Sequence, residues 1–108
     1  MNALSFGRDN DDPMAIDLVQ ASDRFYFSNH YWEETLLLAQ AHGWVPLDAP
    51  SEEWERCYFS NDGYTISDRD AAALADALMR ALCSVPDSEK AYLQKFIAFC
   101  RKGGFRIE

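Results

Sequence analysis

Basic residues are scarce in this chain. Ten Lys and Arg stand against 18 Asp and Glu in 108 residues, for a formal net charge of −8. That sign disfavours attachment to phosphate backbones by bulk charge, so no nucleic-acid partner is expected. No apolar run approaches the roughly 18 residues that a spanning helix needs, so no membrane partner is expected either. Residues 1–13 include Arg8, Asp9, Asp11 and Asp12 and hold no apolar h-region, which argues against a secretory signal. Cysteine is sparse and odd in number: Cys57, Cys83 and Cys100, with no C-x-x-C pair. A zinc ribbon or thioredoxin-like motif therefore lacks support, and a reducing cytoplasm fits best. Neither G-x-S-x-G nor a glycine-rich phosphate loop occurs. The chain leans away from enzymes, and no cofactor or metal is expected.

Apolar matter is plentiful. Hydrophobic residues make up 48% of the chain, and its 3 Trp, 5 Tyr and 7 Phe can fill a core. Residues 1–13 read as a flexible acidic leader, because Asn10-Asp11-Asp12-Pro13 cannot bury apolar area. Residues 14–108 read as a single domain.

Within it, Ile16-Asp17-Leu18-Val19 and Arg24-Phe25-Tyr26-Phe27 suit short strands. Ser28-Asn29 is a helix-start signal, and Gly43 fits the position after the end of a helix over about 30–42. Cys57-Tyr58-Phe59 and Tyr64-Thr65-Ile66 flank Asn61-Asp62-Gly63, which predicts a β-hairpin. Ser67-x-x-Asp70 resembles a capping box for a helix over about 68–84. Ala71, Leu74, Ala75, Leu78 and Leu82 form its apolar stripe, with Asp76 and Arg80 paired on the outer face. A third helix over about 88–102 carries Leu93, Phe96, Ile97 and Cys100, and Phe105-Arg106-Ile107 closes as a strand. The expected order is β, β, α, β, β, α, α, β. It predicts an α+β fold: a small, mostly antiparallel sheet with three helices packed on one face.

Several chemical motifs fail on spacing. If Gly63 were position 6 of a calcium loop, positions 1 and 12 would be Tyr58 and Arg69, where carboxylates are needed. His30 and His42 lie about 18 Å apart along one helix and cannot share a metal within it. The repeat of Tyr26-Phe27-Ser28-Asn29 as Tyr58-Phe59-Ser60-Asn61 reads as two aromatic strands ending in polar turns.

The charge distribution is more informative. Residues 90–108 carry a net +4 and residues 1–89 a net −12. Seven carboxylates lie between residues 48 and 70, at 48, 52, 53, 55, 62, 68 and 70, against Arg56 and Arg69. Such a surface steers a basic partner and repels nucleic acid. Trp54 sits among Glu52, Glu53 and Glu55 and reads as an interface anchor, since Trp and Tyr dominate binding hot spots, or equally as a lid over the core.

Phe25-x-Phe27-Ser28-Asn29 with Trp32, then Gly43-Trp44-x-Pro46, Tyr58-Phe59-Ser60-Asn61-Asp62-Gly63 and Gly103-Gly104-Phe105 form a set. Over residues 14–108 it resembles a family of small bacterial single-domain proteins without an assigned activity. The resemblance implies a family but brings no catalytic residues. Some small acidic bacterial proteins of this kind are immunity proteins to toxins, an analogy of class.

The leading expectation is a non-enzymatic, immunity-like module binding a basic protein through Glu52, Glu53, Trp54, Glu55, Asp62 and Tyr64. The alternative is a small-molecule-binding or enzymatic domain with a pocket lined by Tyr26, Tyr31, Trp44 and Tyr58.

Overall fold

The computed structural model describes residues 15–60 and 62–108. The expected leader lies outside them. Among the described residues, four strands form one antiparallel sheet: β1 (Ile16–Val19), β2 (Arg24–Phe27), β3 (Thr65–Ile66) and β4 (Phe105–Ile107), in the order β2-β1-β4-β3. Ile16 pairs with Phe27, Leu18 with both Phe25 and Ile107, and Ile66 with Phe105. Period-2 alternation therefore sends these residues to one face and Asp17, Arg24, Arg106 and Thr65 to the other.

The apolar face is covered by helices, as an α+β fold requires. Helix α1 (Asn29–Ala41) starts at Ser28, whose hydroxyl accepts from the Tyr31 N–H. It lays Trp32 against Phe27, with ring centroids 5.4 Å apart. Helix α3 (Asp68–Ala81) buries Ala71, Leu74, Ala75 and Leu78. A 3-10 turn over Leu82–Ser84 and Pro86 then reverse the chain into α4 (Asp87–Arg101). Phe96 of α4 sits at the centre of the core, edge-on to Phe27 at 5.0 Å and to Trp32 at 5.9 Å. Burying such a ring is worth about 1.5–3 kcal/mol.

The expected hairpin does not form. Cys57 and Tyr58 belong instead to a short helix, α2 (Trp54–Tyr58), and β3 pairs with β4. Turn chemistry at Asp62-Gly63 is real, with Gly63 at φ +91°. Burial decided the flanking segment. A helix places Trp54 and Tyr58 on one face, both inside the core, and frees the Tyr58 carbonyl to accept from Trp32 Nε1 at 2.7 Å.

The Asp76–Arg80 pair is also absent. Asp76 bonds Arg101 of α4 at 3.2 Å, and Arg80 donates to the His42 carbonyl that ends α1. Both groups found partners on neighbouring helices. His42 is the C-cap of α1, its Nδ1 3.1 Å from the Leu38 carbonyl.

Both sheet edges meet a tyrosine hydroxyl. Tyr92 donates to the Tyr26 carbonyl on β2, and Tyr58 donates to the Thr65 carbonyl on β3. Partial burial pushes both phenols up to about 12, which keeps them protonated as donors.

Candidate docking surface

After α1 the chain runs as an extended strap, residues 44–48. Trp44 and Pro46 point inward and are buried; Val45 and Leu47 point outward and are 65% and 68% exposed. The strap crosses the start of α3 and is fastened there by Asp70, which is 1% exposed. Its carboxylate oxygens accept the backbone N–H groups of Leu47 and Asp48, each at 2.8 Å. The Asp70 carbonyl accepts from Trp44 Nε1 at 3.0 Å.

The predicted capping box is thus half formed. The Ser67 hydroxyl accepts the Asp70 N–H at 3.2 Å and donates to Asp48 Oδ2 at 2.6 Å. The Asp70 side chain turns to the strap because two backbone donors outbid one exposed cap N–H. Arg69 closes the other end with a fork onto Asp48, at 2.8 and 2.7 Å. Hydrogen bonds from Arg69 and then Ser67 hold the Asp48 carboxyl down at about 2.

Beyond the strap lies a cleft of about 440 Å³, lined by Val45, Pro46, Leu47, Ala49, Ser51, Glu52 and Trp54. Trp54 is its floor rather than a protruding anchor. It is 6% exposed and packs edge-on to Trp44 at 5.2 Å and Phe59 at 6.0 Å. Of the two readings of Trp54, this burial favours the lid over the core: as first residue of α2 it packs inward.

The other predicted residues divide. Glu52 lines the cleft and is exposed. Glu53 is exposed and ion-paired to Arg56 at 3.1 Å. Glu55 is half-buried, 3.5 Å from Gln40 Nε2. Asp62 and Tyr64 are exposed on the turn before β3, outside the cleft lining. A hydrogen bond with the Cys57 thiol raises the Tyr64 phenol.

The acidic segment is therefore less of a free surface than its composition implies. Asp70 braces the strap, Asp48 holds Arg69 and Ser67, and Asp68 accepts the Gly104 N–H at 2.7 Å. Glu52 and Asp62 are exposed, and the charge of Asp62 acts on the Tyr64 phenol.

No protein-family model matches this chain, and no curated protein or solved structure does.

Of the four aromatics of the alternative pocket, Trp44 and Tyr58 are core residues, and Tyr31 lines the cleft between α1 and α4. Among the described residues, no group of three or more His, Cys, Asp or Glu side chains is arranged to hold a metal. No helix there is long and apolar enough to cross a membrane.

The sequence reading gives Val45 and Leu47 no role, yet they are the exposed aliphatics of this surface. The signal was present as period-2 alternation across Trp44-Val45-Pro46-Leu47. Hydropathy alone does not say which of two apolar sets faces in; the bulk of Trp44 and its indole N–H were the clue.

Proposed function

We propose that this chain is a protein-binding module that docks a basic partner on the 45–54 surface. The observation that carries it is Val45 and Leu47, held outward on a strap whose inward side is locked. Adjacent exposed aliphatics on a rigid support, beside a cleft with Glu52 at its rim, suit an interface with an apolar centre and a charged edge. The partner's chemistry follows from charge. The chain carries −8, and Glu52 shares the cleft lining with the apolar pair, so a cationic rim on the partner is complementary.

An immunity-like role is the finer form of this proposal: the surface would occlude a basic toxin encoded beside it. It rests on the analogy of class and on the same surface.

The test is affinity capture from the source cell at low salt, comparing wild type with V45D/L47D and E52K. Support is recovery of one basic protein, preferably a neighbouring gene's product, with loss of capture by V45D/L47D and weakening by E52K. Both variants alter exposed side chains, so their stability should stay within about 0.5 kcal/mol of wild type. Equal capture by all three proteins, or none by wild type, would count against the proposal.

A further inference from the structure

A second cleft lies between α1 and the start of α4, independent of the strap. Tyr31, Glu34, Thr35 and Leu38 present one face of α1, at i, i+3, i+4 and i+7. Opposite stand Val85, Pro86, Glu89 and Leu93, where the chain turns into α4. The cleft measures about 190 Å³ and opens to solvent. It is smaller than the roughly 300–1,000 Å³ of sites for drug-sized ligands, so it suits a small group.

The polar groups of the lining are mismatched for an anion. The Thr35 hydroxyl is spent on the Tyr31 carbonyl at 2.8 Å, and that of Ser84 on the Ala81 carbonyl at 2.8 Å. The Tyr31 hydroxyl donates to Glu89 Oε1 at 3.1 Å. Two carboxylates, Glu34 and Glu89, act on the Tyr31 phenol, which burial and these charges hold above its ordinary range. Glu34 is also bonded by His30 at 2.9 Å, on its solvent-exposed side chain. The N-terminus of α4 opposes them with about half a positive charge. Two full negative charges outweigh it. The remaining lining is aliphatic: Leu38, Val85, Pro86 and Leu93.

We infer that this cleft binds a primary alkylammonium group, with the ammonium between Glu34 and Glu89 and the alkyl chain along Leu38, Val85 and Leu93. The Tyr31 ring adds a cation–π surface at the mouth. Two sources share this chemistry, a free aliphatic amine and a lysine side chain of a peptide.

The test is methyl NMR on the full chain at constant ionic strength. It is titrated with n-butylammonium and, separately, with Nα-acetyl-lysine N-methylamide. n-Butanol and the ε-acetylated lysine amide are the neutral controls. Expected are saturable shifts at the Leu38, Val85 and Leu93 methyls from the ammonium ligands. Glu34→Gln should weaken binding about two- to fivefold, the range of an exposed ion pair. Glu34→Gln alters an exposed side chain and keeps the test open if Glu89→Gln fails to fold. Tighter binding of the lysine amide assigns the site to peptide lysine; tighter binding of butylammonium assigns it to a free amine. Non-saturating shifts, equal shifts from the neutral controls, or indifference to Glu34→Gln would overturn the inference. Because the strap plays no part, V45D/L47D should bind these amines like wild type.

Discussion

Replacing Asp70 with Asn tests the fastening of the strap. The change keeps size and shape but alters what the two oxygen positions offer. In the native chain each oxygen accepts one backbone N–H, from Leu47 and from Asp48. An amide has a single oxygen, so its NH2 must confront the second N–H, donor against donor. One hydrogen bond to a charged acceptor is lost, worth about 1.5–3 kcal/mol. A negative charge also leaves the first turn of α3, worth about 0.3–1 kcal/mol. The expected loss is about 2–4 kcal/mol, a large share of the stability of a domain this size. With an m-value of about 1–3 kcal/mol/M, the urea midpoint should fall by on the order of 1–2 M. Amide exchange supplies the local readout: Leu47 and Asp48 should lose protection by more than the global loss of stability accounts for. Strap fastening also orients Val45 and Leu47, so the variant should bind partner less well than wild type under conditions where it is folded. A variant within about 0.5 kcal/mol of wild type, with both amides exchanging at native rates, would refute the reasoning.

Four further outcomes are expected. The Asp48 carboxyl is held at about 2 by Arg69 and Ser67, below its ordinary value of about 3.9, so its contribution is present above pH 4. That contribution is lost as the pH falls through about 2, and Arg69→Met should flatten the acid limb of a stability-against-pH curve. Trp54→Ala should cost about 3–5 kcal/mol in urea unfolding, because it empties a core site. Burial should protect Cys100 from a thiol reagent: Cys83 is exposed and Cys100 is buried, its thiol pushed up by burial. Mass spectrometry of brief labelling should therefore find Cys83 modified and Cys100 intact until the chain unfolds. Gly104→Ala should cost about 1–3 kcal/mol or more by thermal denaturation, since its Cβ would lie 2.3 Å from the Ile66 carbonyl oxygen.

Local signals carried far along this chain. Ser28 and Ser67 cap the helices they were expected to start, and the β1, β2 and β4 segments were legible from alternation and aromatic content. The failure at residues 57–59 has a specific cause. Cys-Tyr-Phe is β-prone, but propensity is weak beside the burial of Trp54 and Tyr58 four residues apart. The spacing of those two aromatics was visible; that both faced a core built from residues 27, 32 and 44 was not, because that core is assembled over long sequence distances. Gly63 needed its positive φ in either arrangement, so the strongest turn signal could not distinguish a hairpin from a helix-to-strand connection.

Charge shows the same limit from the other direction. The division into −12 and +4 is a fact of the linear chain, and folding largely uses it internally. Arg101 reaches Asp76, Lys102 reaches Asp23, and Lys90 and Arg106 take Asp87 and Glu108. In the 48–70 segment, Asp48, Asp68 and Asp70 are committed to Arg69, the Gly104 N–H and the strap amides. A count of carboxylates measures long-range attraction, which sums over all of them, and so it still bears on how a basic partner is steered. It does not locate the contact, because several of the carboxylates in this run are already held by partners within the fold. The proposed docking surface therefore centres not on the acidic run as a whole but on its apolar edge at Val45 and Leu47, where Glu52 is the carboxylate in the same cleft lining.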